Sequence, residues 1–216
     1  MNHKPLFQAA GLAALVALVC ALLMGFGVQP PQATLSFQPS MPPVPVAEFI
    51  RPTNEFPDLT LRFFAADSLF ILSYTVVFAG LYGVAAGRSR VLAAVGLGAG
   101  LLTALFDAAE NAFFITYALQ ALAGVPLKEP DLPLIYLIAN LKWLGAFAAF
   151  YAFGLAWPRE GWFGWVLAGL MVLFPLVGVL GVALPGLIAL RGLFFLVGMP
   201  LFAGYFWWRA RKMPGG

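Results

Sequence analysis

The sequence predicts an all-α, polytopic integral membrane protein of about six helices in one bundle, with both termini in the cytoplasm. Three observations predict it. The 216 residues are 62% hydrophobic and 10% charged, against roughly 45–50% and 25% in soluble domains, so one soluble core cannot hide the apolar surface. The apolar residues fall into six runs, each of a length that crosses a bilayer as a helix, which takes about 20 residues. Most lysines and arginines stand at the ends of those runs, where the positive-inside rule puts them.

The first run, 6–28, follows Lys4 and is expected to be an uncleaved signal-anchor helix over 1–28. It exceeds the usual length of a signal-peptide core, and Pro31 interrupts the small-residue pattern before Ala33. Cleavage is the alternative and would leave five spans. Residues 29–60 read as an external Pro-rich loop, with eight prolines between Pro30 and Pro57. Proline has a fixed φ and no backbone donor, so an extended, polyproline-like strap is expected over 29–58. Its apolar residues, Phe37, Val44, Phe49 and Ile50 among them, suit a lid on the bundle or a contact with a membrane-protein partner. A disordered loop is the alternative.

Residues 61–208 are expected to form a five-helix transmembrane bundle, from runs 61–86, 91–123, 132–157, 162–184 and 187–208. Gly80, Gly83 and Gly87 in span two, and Gly96 and Gly100 in span three, permit close helix approach. Pro175 and Pro200 are expected to kink spans five and six. A basic cytoplasmic tail, 209–216, ends the chain. Lys4, Arg88, Arg90, Arg159, Arg209, Arg211 and Lys212 share one side of this topology. Arg51, Arg62 and Lys128 lie opposite, balanced by Glu48, Glu55, Asp58, Glu129 and Asp131. Trp157, Trp162, Trp165, Trp207 and Trp208 map to the cytoplasmic boundary that amphipathic rings prefer, with Trp143 deeper. A plasma membrane is the expected location, the inner membrane in a bacterium.

Some chemistries are excluded. With Cys20 and His3 as the sole cysteine and histidine, the chain lacks an intrachain disulfide, a Cys/His zinc site, a bis-His haem and a Cys–His nucleophile pair. No cofactor or metal is expected. The net charge of +3 is spread over span ends, not massed in a patch, so nucleic acid is not an expected partner.

Ionisable groups at membrane depth cost at least ~2.5–3.5 kcal/mol each, so each needs a reason. Span three carries Asp107-Ala-Ala-Glu110-Asn111, whose spacings put the three polar residues on one face, extended by Thr103. Span two adds Asp67, Ser68 and Tyr74. Span four adds Tyr136, Asn140 and Trp143 on one face, while Lys142 points roughly the opposite way. Span six begins with Arg191, and Arg62 is a possible further base. At a rise of ~1.5 Å per residue, Asp67, Asn140, Lys142 and Arg191 fall roughly 5–15 Å from the external boundary, and Asp107 about 24 Å from the cytoplasmic one. The candidate ligand-binding residues are therefore Asp67, Asp107, Glu110, Asn111, Asn140, Lys142 and Arg191; no catalytic residue is assigned. A faint repeat pairs Ala66-Asp67 with Ala139-Asn140, as two parallel hairpins would.

Three functions suit this pattern. The first is a ligand-binding or transport-type membrane protein, taking a membrane lipid, a lipid-like molecule or a small polar ligand. The second is a non-catalytic subunit or assembly factor whose polar network holds the fold and whose loop meets a partner. The third is a lipid-modifying enzyme, although Asp-x-x-Glu alone is a pattern of low specificity.

Overall fold

The computed structural model describes residues 3–27, 46–187 and 189–213, which are all-helical with no strand among them. Helix α1 spans Lys4–Leu22 and runs into a π-helical turn, Leu23–Gly27. A short helix α2, Val46–Glu55, precedes α3, Pro57–Ala85. Then follow α4, Arg90–Leu122; α5, Leu132–Ala156; α6, Gly161–Ala183; and α7, Ala189–Lys212. Among the described residues, six of these helices are long and apolar enough to cross a membrane, and each matches a predicted run within a few residues.

The local chemistry explains the boundaries. Pro57 opens α3, where its missing N–H is one of the donors a helix leaves unbonded. The Ser89 hydroxyl accepts from Leu92 N and caps α4. Gly124, at φ 81°, ends α4 in the left-handed region that a side chain resists. Helices α6 and α7 continue through Pro175 and Pro200.

The six long helices form a closed ring of neighbours, in the order α1, α3, α4, α5, α6, α7 and back to α1. Consecutive helices in the ring alternate in direction, and α1 is wedged between α3 and α7 through Phe7, Ala10, Ala14 and Ala17. The backbones approach each other least closely at the α6–α7 seam among the described residues, where rings such as Phe174 and Phe194 stand between them. Aromatic rings fill the half of the ring nearer the termini. Phe150 meets Phe78, Phe174 and Phe202 at centroid distances of 5.7, 5.1 and 6.2 Å. Gly100 makes room for Phe78: a Cβ there would lie 2.6 Å from its ring. Leucine and valine point outward from the ring, including Leu72, Val91, Leu105 and Leu144. A second apolar cluster, with Phe64, Phe114, Leu132 and Ile135, closes the other end.

Two readings change. Residues 46–55 are helical, not an extended strap; Pro52 sits inside α2, and its carbonyl accepts from Phe56 N and Thr60 Oγ1. The Asn54 side chain clamps α2 to the α4–α5 connection, donating to Leu127 O at 3.0 Å and accepting from Leu127 N at 2.8 Å. The strap's last residues, Pro57 and Asp58, open α3, and its part over 29–45 lies outside the described residues. Trp157, at the end of α5, turns into the bundle and is fully buried against Phe202 and Tyr205, while Trp162 and Trp165 are exposed. The Trp157 carbonyl, freed where α5 ends, accepts from Arg88 Nη1 at 2.9 Å.

Candidate functional site

Between the two apolar clusters the ring lines a half-open cavity of about 310 Å³, at the end away from the termini. Helix α3 walls it with an aromatic face, Phe63, Phe64, Phe70 and Tyr74, around Asp67. Helix α4 contributes Thr103, Asp107 and Glu110; α5 contributes Lys142 and Trp143; α7 contributes Arg191 and Phe195. Five of the seven predicted residues thus line one space, supplied by four helices.

A three-charge cluster forms one wall. Lys142 Nζ donates to Asp107 Oδ1 at 2.9 Å and also to Glu110 Oε2. Tyr74 Oη donates to Asp107 Oδ2 at 2.9 Å, so both oxygens of that carboxylate are bonded. The side chains of Asp107 and Glu110 are 7% and 1% exposed, which makes Lys142 the condition for their burial. Glu110 keeps Oε1 without a hydrogen-bond partner among the described residues.

Two further charges face the cavity outside that cluster. Asp67 has the Asn111 amide beside it and makes no ion pair among the described residues. Lys142 exerts its field there, but its ammonium is bonded to the other two acids. Arg191 is 5% exposed, its guanidinium carbon 4.5 Å from the Trp143 ring centre. It makes no salt bridge among the described residues, and its Nη2 has no hydrogen-bond partner there. The buried Trp143 Nε1 is likewise unpartnered. Among the described residues no group of three His, Cys, Asp or Glu is arranged to hold a metal ion.

The predicted set needs correcting on α5. Asn140 is exposed, and its amide donates to the Tyr136 carbonyl one turn back, at 2.9 Å. Lys142, read as facing away, is the residue that turns inward. Asp67 and Asn140 therefore hold non-equivalent positions, which removes the basis of the proposed repeat. Arg62 is exposed and outside the cavity. Asn111 is buried behind the cavity wall and donates to Ser68 Oγ at 3.2 Å, tying α4 to α3. The aromatic wall of α3 was not singled out from the sequence, although Phe63, Phe64, Phe70, Tyr74 and Phe78 share the helical face of Asp67.

In comparisons with known proteins the chain matches no family model, no curated protein and no solved structure.

Proposed function

We propose that this chain is a six-span integral membrane protein with both termini in the cytoplasm, whose cavity binds a small amphiphilic ligand in a binding or transport role. The observation that carries the reading is the convergence of Asp67, Asp107, Glu110, Lys142 and Arg191 on one largely aromatic space of about 310 Å³. Ligand sites are concave, mostly apolar and about 300–1,000 Å³, with a few placed polar groups. Charges that served only to join helices would need no cavity between them. The outward leucines and valines suit contact with lipid. The buried face of α1 against α3 and α7 supports its retention in the mature protein. The lysine and arginine bias supports the orientation.

Purification of the full chain in mild detergent, followed by mass spectrometry of its extract, tests the reading. A small molecule is expected to copurify near one per protein and to be lost from a monodisperse Phe70→Trp variant that narrows the cavity. A wild-type preparation free of any such molecule, and not stabilised by membrane extract, would overturn it. Orientation is tested in a Cys20→Ser background, where Lys128→Cys should react with an impermeant maleimide from outside and Arg211→Cys should not.

A further inference from the structure

Asp67 and Arg191 are an acid and a base that line the same cavity, one from α3 and one from α7, and neither pairs with a charged residue among those described. We propose that the ligand is a zwitterion, its oxyanion bound by Arg191 and Trp143 and its ammonium by Asp67. This rests on the ligand-binding reading and names the chemical class.

A guanidinium buried to 5% exposure without a carboxylate is expensive, and its stacking on Trp143 returns little of that cost. Arg191 Nη2 and Trp143 Nε1 are both buried donors without a partner among the described residues, on stacked side chains that line the cavity. The planar guanidinium suits a phosphate or a carboxylate oxygen. On α3, Asp67 has Phe63, Phe64 and Phe70 within one helical turn, all lining the cavity. A carboxylate among aromatic faces is a site for an ammonium, which gains the charge pair and the ring quadrupoles at once. A purely cationic ligand would leave Arg191 unpaired and repelled, and a purely anionic one would leave Asp67 unused. A molecule carrying both charges answers both side chains, and the remaining aromatic lining takes an apolar portion. A phosphoethanolamine lipid head and a free amphiphilic amino acid share this chemistry.

Binding to the full chain in detergent, followed by native mass spectrometry, discriminates. The probes are dihexanoyl phosphatidylethanolamine, dihexanoyl phosphatidylglycerol, hexylammonium and phenylalanine. At least one zwitterion should bind about tenfold or more tightly than phosphatidylglycerol and hexylammonium, since each charge-assisted contact is worth roughly that factor. Phosphatidylethanolamine ahead of phenylalanine identifies a lipid source, and the reverse a soluble one. Asp67→Asn should abolish the preference for phosphatidylethanolamine over phosphatidylglycerol, and Arg191→Gln should weaken both phosphate probes. If neither zwitterion outbinds phosphatidylglycerol and hexylammonium in the wild type, or if the preference for a zwitterion survives Asp67→Asn, the zwitterion assignment is overturned and the ligand-binding reading is left standing. Binding of no probe also overturns the assignment; the copurification experiment then decides the broader reading on its own. If Asp67→Asn fails to fold, the wild-type comparison alone decides.

Discussion

Replacing Lys142 by Met tests the electrostatic account of the cavity wall. The substitution keeps the length of the stem and removes the ammonium that bonds Asp107 and Glu110. Those carboxylates are 7% and 1% exposed, so water cannot replace the lost charge. Each charge-assisted hydrogen bond is worth about 1.5–3 kcal/mol, and breaking a buried pair costs about 3–5 kcal/mol. The lower sum applies if Tyr74 continues to hold Asp107. For a chain of this size, about 3–5 kcal/mol corresponds to a fall in Tm of about 6–20 °C. Thermal unfolding in one detergent, followed by circular dichroism, measures it. The triple variant Lys142→Met, Asp107→Asn, Glu110→Gln removes all three charges and should recover most of the loss, because a neutral replacement of a buried ionic group is often tolerated. A single variant within about 2 °C of wild type, or a triple variant no more stable than the single, would refute the reasoning.

Other perturbations separate the remaining parts. Arg191→Met should hold or raise the Tm of ligand-free protein, since it removes a buried charge that lacks a carboxylate; a loss beyond about 1 kcal/mol would mean the guanidinium is structurally paired. Gly100→Val should cost about 1–3 kcal/mol by driving into Phe78, whereas Gly98→Ala, with open space at its Cβ, should be near neutral in the same unfolding assay. Asn54→Ala should accelerate amide exchange at Leu127 and along α2 without changing exchange in α6; unchanged rates would show that the clamp does not hold α2.

The six long helices were legible because run length and hydropathy are properties of consecutive residues. The inward charges were legible for a related reason: Asp107, Glu110 and Arg191 sit in apolar runs and have to face one another rather than lipid. The phase of α5 was not. Lys142 and Asn140 are two residues apart and cannot share a face. Which one turned inward was decided by acids on another helix, and Asn140 could satisfy its amide on its own helix, at the Tyr136 carbonyl. The burial of Trp157 was hidden for the same reason, since its environment comes from Tyr205 and Phe202, some fifty residues away in sequence. Helix α2 was missed because proline density was read as excluding helix, while Pro52 is accommodated inside one.

The uneven closure of the helix ring has a kinetic consequence. The α6 and α7 backbones approach closely at fewer points than those of any other adjacent pair among the described residues, and rings such as Phe174 against Phe194 and Phe195 fill the gap, so rotation of those side chains is a way to open the ring there. Arg191 stands near the start of α7, beside that seam. On the membrane-spanning reading proposed above, a molecule entering by this path comes sideways from the hydrocarbon. Its encounter frequency then follows its mole fraction in the bilayer rather than its concentration in water. Two ligands of equal affinity for the cavity would load at different speeds if they differ in partitioning, and a sparingly soluble amphiphile would be the faster.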